Sequence, residues 1–443
     1  MQKAARRIVE RLRLHGHEAF FAGGWVRDFL LRRKAQDIDI ATSALPEQVA
    51  AIFPNSTLIG AEFGVVQVRM YGRAYEVTTF RSEGPYLDGR HPSAVVFSGP
   101  MQDVQRRDFT INGLFYDPST GRIIDYIHGK TDLQRKIIRT IGDPYKRFSE
   151  DKLRMMRAVR LAAALDFGIA SDTWKAIQGL SAQILQVSWE RIRDEIVKTL
   201  TGPRRDKGLD LLREGGLMEQ ILPEVTAMVG IAQPAEFHPE GDVYSHTKAA
   251  LGLLHKPSPT LALGTLLHDV GKPPTFSVKE RIRFDGHVEL GGKMAVEICR
   301  RLRMSNDEIA AIAELVIHHL RFMNVKEMRL STLKKFLRLP NFADHLELHR
   351  VDCLSSHRDL ESYYFCLEKL EEFGHEPAPA TPLINGRDLI DLGYKPGPVF
   401  AKILQSVEDL QLEGTIDSRD EALEYIKKWY PLPEKQLAKP ENP

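Results

Sequence analysis

EAFFAGGWVRDFLLRRKAQDIDIATSALPEQV, residues 18–49, is the stretch that decides how the N-terminal part of this chain folds. Its opening EAFFA predicts a short strand, WVRDFLLRR predicts a helix, and the alternation in DIDIA predicts a second strand. Gly23 and Gly24 stand between the first strand and the helix. There they let the backbone approach a ligand closely, and the helix N-terminus offers free N–H groups to an anion. A plain connecting turn is the alternative interpretation of these glycines.

Asp37 and Asp39 are two residues apart in the second predicted strand, so their side chains are expected on the same face. Ile38 and Ile40 alternate with them and are expected to enter the core. Two carboxylates side by side repel each other unless a cation lies between them, and oxygen donors alone suit Mg²⁺. The pair therefore predicts a magnesium site, with a solvated strand edge as the alternative.

The composition of the 443 residues limits the classes of protein to consider. Hydrophobic residues make up 43% and charged residues 27%, which is typical of a globular chain. The 61 lysines and arginines balance 60 acidic residues, so a nucleic acid must be bound by a local patch. Three cysteines exclude a disulfide framework and favour a reducing, cytoplasmic location. The sequence has no apolar run long enough to predict a membrane span.

Two further clusters of charged residues follow in the N-terminal part. Glu76, in YEVTTFR, is placed to add a third carboxylate from a neighbouring strand. RRDFTIN, residues 106–112, combines two arginines with Asp108 and Asn112. Such a group of cations and hydrogen-bonding side chains suits a triphosphate and its ribose. A surface ion-pair cluster is the alternative.

EDKLRMMRAVRLA, residues 150–162, predicts a helix with a third cluster. Asp151 and Arg154, three positions apart, are expected side by side on it as hydrogen-bond acceptor and donor. The helix dipole alone would favour acids in the first turn and bases later. It explains the acids well, but it explains poorly why Arg154, Arg157 and Arg160 follow at a strict spacing of three.

Imidazoles and carboxylates form a second constellation in the C-terminal half. In chain order, the predicted ligands of one ion are His246, His268, Asp269 and Asp352. Mixed nitrogen and oxygen donors suit a divalent transition metal or Mg²⁺ better than a structural zinc. His287 and His319 are predicted to extend this site toward a second ion or a phosphate.

Seven segments occur in an order and spacing that resembles one family: GGWVRDFLL, QDIDIATSALPEQV, EVTTFR, YLDGRHPSAVVF, RRDFTINGLFYDP, EDKLRMMRAVRLA and SWERIRDEI. Over roughly residues 20–200 the chain resembles the bacterial class II CCA-adding tRNA nucleotidyltransferases and the related poly(A) polymerases. The order of histidines and aspartates in the C-terminal half resembles the HD phosphohydrolase domain.

The fold that these resemblances imply is α+β. A polymerase-β-type nucleotidyltransferase head, with a mixed sheet and helices, would be followed by all-α neck, HD and tail domains. The expected boundaries are 1–145 for the head, 146–230 for the RNA-binding neck, 231–372 for the HD domain and 383–430 for the tail. Residues 431–443 are expected to be disordered.

The resemblance also implies roles for individual residues. Asp37 and Asp39 would be the catalytic ligands of Mg²⁺. The residues implied to contact the triphosphate and ribose are Gly24, Arg27, Arg107, Asp108 and Asn112. Those implied to read the base or to make further nucleotide contacts are Asp151, Arg154, Arg157 and Arg160. The segment from Tyr86 to Pro92 resembles the flexible loop that switches the family from C to A addition.

Asp151 and Arg154 can select a base without a nucleic-acid template. Cytosine and adenine both offer an exocyclic amine beside a ring nitrogen acceptor, which match a carboxylate and a guanidinium. Guanine and uracil present the reverse order, and each buried polar group left without a partner costs about 1–3 kcal/mol. The pair therefore predicts CTP and ATP as substrates.

The resemblances imply an enzyme that adds CCA to tRNA 3′ ends, with phosphatase or 2′,3′-cyclic phosphodiesterase activity in the HD domain. tRNA or another RNA 3′ end is the expected partner, and neither a membrane nor a protein partner is required. A poly(A) polymerase or an A-only-adding tRNA nucleotidyltransferase is the alternative with the same fold. An HD phosphohydrolase with a degenerate RNA-binding head is an alternative of another class, and a nucleotide-sensing regulator is a third. Retention of both Asp37 and Asp39 argues against a degenerate head.

Overall fold

The computed structural model describes residues 1–35, 37–59, 64–84, 95–234, 236, 241–374 and 381–432. The loop predicted from Tyr86 to Pro92 lies outside these residues, as do residues 433–443 of the segment predicted to be disordered. Within the described ranges, no helix combines the length and apolar character needed to cross a membrane.

The N-terminal part, which we call the head (residues 1–145), is built on a mixed sheet. Its strands are β1 (Ala19–Ala22), β2 (Asp39–Thr42), β3 (Ser56–Leu58), β4 (Val65–Met70), β5 (Arg73–Thr79), β6 (Arg81–Glu83), β7 (Val95–Phe97), β8 (Leu114–Tyr116), β9 (Ile123–Asp125) and β10 (Ile137–Ile138). Its helices are α1 (Gln2–Leu14), α2 (Gly24–Leu30), α3 (Pro46–Ile52), α4 (Pro100–Gln105) and α5 (Gly129–Arg135). A short 3₁₀ helix spans Thr110–Asn112.

Seven of these strands form the main sheet in the order β3-β4-β5-β2-β1-β8-β9. Its described neighbours are antiparallel except β2 and β5, which are parallel. Ala22 at the end of β1 pairs with Asp39 at the start of β2, and Ile40 pairs with Val77 of β5. Asp39 therefore lies between the turn that follows β1 and the neighbouring residue of β5, Glu76.

Apolar residues of the head repeat with the period of each element. Ile8 and Leu12 lie on one face of α1 and are fully buried. Ile38 and Ile40 are also buried, whereas Asp37 is exposed, so the predicted alternation is confirmed. The strand begins only at Asp39, because β1 ends at Ala22 and leaves no strand residue for Asp37 to pair with.

The next part, which we call the neck (residues 146–230), is helical. Its elements are α6 (Pro144–Glu150), α7 (Leu153–Leu165), β11 (Gly168–Ile169), α8 (Ser171–Leu180), α9 (Trp189–Leu200), α10 (Arg205–Glu214), α11 (Leu217–Ile221) and α12 (Pro223–Thr226). A 3₁₀ helix spans Ser181–Gln186. The short strand β11 pairs in parallel with β10, which joins the neck to the head.

The C-terminal half is also mostly helical. In the HD region (residues 231–372) the elements are α13 (Val243–Leu253), α14 (Pro259–Leu267), α15 (Lys272–Thr275), β12 (Phe276–Val278), β13 (Ile282–Phe284), α16 (His287–Arg301), α17 (Asn306–His318), α18 (Leu330–Leu337), α19 (Phe342–Ser355) and α20 (Glu361–Gly374). A 3₁₀ helix spans His319–Glu327. The tail (residues 383–430) consists of α21 (Gly386–Asp391), α22 (Pro398–Leu412) and α23 (Arg419–Trp429).

One apolar core runs through the head, the neck and the HD region, from Leu114 through Met155 to Leu266. The tail has a separate core around Ile403 and meets α18 through an ion pair between Lys335 and Asp409, 2.6 Å long. The predicted α+β fold, a mixed-sheet head followed by helical domains, is confirmed.

Candidate functional site

The first site lies at the turn where β1 ends and α2 begins. Gly23 is buried there and has a φ of +66°, which residues with a side chain rarely adopt. A Cβ atom added to it would lie 3.2 Å from Arg107 Nη1 and 3.7 Å from Asp39 Oδ2. Gly24 begins α2, and a Cβ atom on it would lie 3.6 Å from Arg27 Nη2. The two glycines thus let a carboxylate and two guanidinium groups approach one short turn.

Three carboxylates lie around the same end of the sheet. Burial raises the pKa of Asp39 to about 6, the charges of Asp37 and Glu76 add to the increase, and Arg107 opposes it. In the residues that the structure describes, the donor atoms of these three carboxylates do not all come within 4.8 Å of one another. A divalent cation relieves concentrated negative charge of this kind, and the three side chains supply the oxygen donors that Mg²⁺ prefers.

A chain of hydrogen bonds leads from α2 through the RRDFTIN segment to the neck. Arg27 Nη1 donates to Asn112 Oδ1 at 2.8 Å, and Asn112 Nδ2 donates to Asp108 Oδ1 at 3.0 Å. Asp108 accepts a further bond from Arg157 Nε at 3.0 Å. Burial alone would raise the pKa of Asp108, but Arg157 and Asn112 hold it well below its usual value. Four of the predicted nucleotide contacts, from three separate segments, therefore form one network.

Asp151 and Arg154 do not lie on one helix, so that prediction is wrong. α6 ends at Glu150, Asp151 follows in an extended conformation, and α7 begins at Leu153. The Leu153 N–H donates to Asp151 Oδ1 at 3.2 Å, and aspartate favours such a break because it satisfies a free N–H at a helix start. Asp151 pairs with Arg191 and Arg154 with Glu150, each at 3.1 Å. The two residues are three positions apart in sequence, and their side chains have different ion-pair partners.

Arg160 lies further along α7 and pairs with Glu195 of α9 at 2.6 Å. Glu195 is only 3% exposed, so this ion pair joins two helices inside the neck. Sequence reasoning used the SWERIRDEI segment as a family motif but assigned no role to Glu195. The pairing could not be read from spacing, because 35 residues separate the two side chains.

Arg107 has a partner that sequence reasoning also missed. Asp103 of α4 is 1% exposed and pairs with Arg107 Nη2 at 2.9 Å and with Arg106 Nη2 at 2.8 Å. The sequence contains the signal for this pairing. Asp103 precedes Arg106 by three residues and Arg107 by four, and these are the spacings at which ion pairs form along a helix.

The second site lies in the HD region. Its potential metal donors form two sets. The first set is His246, His268 and Asp352, and the second is Asp269, His287 and His319. Within each set, the donor atoms lie within 4.8 Å of one another. Asp269 lies between the sets, with Oδ2 3.2 Å from His268 Nε2 and Oδ1 3.8 Å from His287 Nε2. The sequence predicted one four-residue site with two histidines beyond it. The structure instead has two three-residue sets joined by the Asp269 carboxylate.

The histidines of this site are held with Nε2 toward its centre. Nδ1 of His268, His287 and His319 lies 2.8, 2.8 and 2.7 Å from the carbonyl oxygen three residues earlier. Such a hydrogen bond fixes the ring and leaves Nε2 as the metal-binding nitrogen. Burial lowers the pKa of His319 to about 4 and also lowers the pKa of His287. Both rings are therefore neutral near pH 7, as a metal ligand must be.

Two atoms of this cluster favour a bound cation. Among the described residues, Asp269 Oδ1 and His287 Nε2 are buried without a hydrogen-bond partner. Leaving a buried polar atom unsatisfied costs about 1–3 kcal/mol, and coordination would remove that cost. Lys272, which sequence reasoning missed, lies 2.6 Å from Asp269 Oδ2 and 2.7 Å from Gln233 Oε1. Its position three residues after Asp269 in HDVGK was the available signal.

Comparison with known proteins agrees with this architecture. Three family models match in order: the poly A polymerase head domain at residues 19–139, the probable RNA and SrmB-binding site of polymerase A at 166–229, and the HD domain at 243–348. The chain is 48% identical over 211 residues to the CCA-adding enzyme of Geobacillus stearothermophilus, an alignment that covers 47% of this chain and 52%, about half, of that relative.

Two other similarities extend over nearly the whole chain. The crystal structure of the Bacillus stearothermophilus CCA-adding enzyme in complex with CTP superposes with a TM-score of 0.74 at 28% identity, covering 96% of this chain and 98% of that one. The CCA-adding enzyme of Bacillus cytotoxicus is 33% identical over 439 residues, which is 95% of this chain and 96% of that relative. Because this last alignment spans almost all of both chains, the protein belongs to the CCA-adding enzymes, a family of nucleotidyltransferases.

Proposed function

We propose that the head adds C, C and A to the 3′ end of tRNA from CTP and ATP, without a nucleic-acid template. The observation that supports this most is the meeting of the Asp39 carboxylate and the Arg107 guanidinium at the Gly23 turn. The carboxylate is suited to binding a metal ion, and the guanidinium is suited to binding a triphosphate. The Bacillus stearothermophilus CCA-adding enzyme was crystallised with CTP, which favours nucleotide substrates for this chain too. We further propose a cytoplasmic location and four domains at the boundaries predicted from the sequence.

In the proposed reaction the RNA 3′-hydroxyl attacks the α-phosphorus of the nucleotide. A new P–O bond forms, the bond to the bridging oxygen breaks, pyrophosphate leaves, and the proton of the hydroxyl passes to solvent. Asp37, Asp39 and Glu76 would hold Mg²⁺, which when bound lowers the pKa of the hydroxyl and neutralises charge on the pyrophosphate. Arg107 would bind the triphosphate and keep the phosphorus in line with the hydroxyl. Asp108, fixed by Arg157, would accept a hydrogen bond from the ribose.

The test uses tRNAs that lack one, two or all three of the terminal CCA nucleotides. Each is incubated with CTP, with ATP and with both, and the products are sized. We expect addition to stop at CCA and to require CTP before ATP whenever a C is missing. Long A tails would favour a poly(A) polymerase, and extension only of tRNA ending in CC would favour an A-only enzyme. If the folded chain with Mg²⁺ extends no RNA end, the proposal is wrong.

Gly23→Ala is expected to lower kcat for nucleotide addition about 10- to 100-fold, because a methyl group there crowds Arg107 and Asp39. Gly72→Ala is the matched control. Gly72 has a φ of +73°, so alanine there carries a similar backbone strain, but among the described residues no atom beyond its chain neighbours lies within 4 Å of its added Cβ. Steady-state rates and melting temperatures are compared. Equal rates in the two variants would contradict the role of the Gly23 turn.

We propose that Asp151 and Arg154 read the incoming base, each held by the ion-pair partner described above. Asp151→Ala is then expected to reduce the preference for CTP and ATP over UTP and GTP by about tenfold or more, since the acceptor for the exocyclic amine is lost. The measurement is kcat/KM for single additions with each nucleotide. Asp143→Ala is the control, because Asp143 caps the start of α6 and is not among the proposed base-reading residues. Unchanged preference in Asp151→Ala would exclude it from base selection.

We propose a second activity for the HD region, the metal-dependent hydrolysis of phosphate esters. The specific observation in its favour is the pair of donor sets joined by Asp269, with two buried donor atoms lacking partners. His246, His268, Asp269, Asp352, His287 and His319 would hold one or two divalent ions. When bound, such ions polarise a phosphoryl oxygen and activate water. Lys272 would place a further positive charge next to the Asp269 carboxylate.

A further inference from the structure

Asp103 is a buried carboxylate that the proposed reaction does not yet use. Its Oδ2 accepts from Arg107 Nε at 3.1 Å and from Arg107 Nη2 at 2.9 Å. Its Oδ1 accepts from Arg106 Nε at 2.9 Å and more weakly from the Arg81 N–H at 3.4 Å. Burial alone would raise the pKa of Asp103, yet the two arginines hold it below its usual value, so the carboxylate stays ionised. One buried negative charge thus binds two adjacent cations.

These bonds determine where the Arg107 guanidinium points. Because Nε and Nη2 both bind Asp103, Nη1 is directed to the other side, where it lies beside Gly23 and 3.4 Å from the Asn112 carbonyl oxygen. The guanidinium carbon also lies 5.1 Å from the centre of the Phe115 ring, which supports it from a third direction. Arg107 is therefore fixed in one orientation, facing the turn that also borders Asp39.

We propose that Asp103 is a positioning residue for nucleotidyl transfer, which holds Arg107 in place for the triphosphate and keeps it from pairing with the Asp39 carboxylate. This inference rests on the proposed function of the head. Arg107 and Asp39 lie close enough that the arginine charge lowers the pKa of Asp39. If Asp103 lost its charge, Arg107 would turn toward the remaining carboxylates and compete there with the metal ion.

The test is Asp103→Asn, assayed for CTP and ATP addition over a range of Mg²⁺ and nucleotide concentrations. We expect the Mg²⁺ concentration for half-maximal rate to rise about fivefold or more, and KM for both nucleotides to rise about tenfold. Excess Mg²⁺ should restore part of the rate, whereas the preference for C and A over U and G should not change. A role in folding alone would lower the melting temperature and leave the Mg²⁺ requirement as it is.

Asp132→Asn is the matched control. Asp132 is also a buried head carboxylate, 6% exposed, and pairs with Arg139 at 3.2 Å. The Asp132→Asn variant loses the same charge as Asp103→Asn but is expected to keep the Mg²⁺ requirement of the parent protein. In an Arg107→Ala background, adding Asp103→Asn should shift that requirement by less than about twofold, because Asp103 acts through Arg107.

The outcomes separate this inference from the proposed function. If the parent chain adds no nucleotide, the proposed function fails. If the parent is active but Asp103→Asn keeps its Mg²⁺ requirement and KM, or Asp132→Asn shifts them equally, Asp103 has no positioning role. Should Asp103→Asn not fold, Asp103→Glu carries the test, since it keeps the charge but displaces it by one methylene. Asp103→Glu is expected to raise both the Mg²⁺ requirement and KM, by smaller factors than Asp103→Asn. Unchanged values of both would overturn the inference.

Discussion

Asp39→Asn is expected to abolish nucleotide addition, with a fall in rate of about a thousandfold or more. Asparagine keeps the shape of the side chain but not its charge, and loss of metal-based charge stabilisation is worth several kcal/mol, or about one factor of ten for each 1.4 kcal/mol. Incorporation of labelled ATP into tRNA measures the effect. Asp37→Ala is expected to act in the same way, because both carboxylates serve the same ion in the proposed mechanism.

Asp39→Asn is also expected to stabilise the metal-free fold near neutral pH. The pKa of Asp39 is about 6 in the folded chain, against an ordinary 3.8. A raised pKa means that folding favours the protonated form, so stability is lost as the pH rises from about 4 through 6. Asparagine removes this loss, so in the presence of a chelator the variant should gain about 1–3 kcal/mol in free energy of unfolding at neutral pH.

Asp117→Asn is the control for this prediction. Asp117 is another head carboxylate, but it pairs with Arg13 at 2.8 Å, and the proposed mechanism gives it no role. It is expected to retain nucleotide addition. An Asp39→Asn variant that adds nucleotides at the parent rate would remove the basis of the proposed mechanism.

Asp269→Asn is expected to abolish phosphate-ester hydrolysis by the HD region while nucleotide addition stays within about twofold of the parent. Asp269 joins both donor sets, so its loss should remove bound metal as well as activity. Metal content by mass spectrometry and hydrolysis of a 2′,3′-cyclic nucleotide are the measurements. His268→Ala is expected to give the same result through the first donor set.

His318→Ala is the control, because His318 directly precedes the proposed ligand His319 in the chain but lies against His345, with ring centres 6.0 Å apart. It should keep both metal and hydrolysis. A parent protein without metal or hydrolase activity would contradict the second proposed activity. Equal loss of nucleotide addition and hydrolysis in Asp269→Asn would show that the two activities do not reside in separate sites.

Local patterns were enough to predict much of the head. The alternation of Ile38 and Ile40 with acids placed Asp39 at a strand, and the apolar period of β4 and β5 placed Glu76 on a neighbouring one. Both predictions depend only on the two-residue repeat of a strand, which can be recognised over a few residues. The prediction failed at Asp151, where a side-chain bond to the Leu153 N–H outweighs helical propensity and separates α6 from α7.

The amino-acid sequence by itself determined the kinds of group this protein brings to its two sites: paired acids and arginines in the head, histidines and aspartates in the HD region. Only the tertiary structure decided which of them meet. Asp108 binds Arg157 from 49 residues away, and Asp269 lies between donor side chains from well-separated parts of the chain. The physical reason is that spacing along the chain controls contacts within one helix or strand. Contacts between elements depend instead on how their apolar faces pack into a common core.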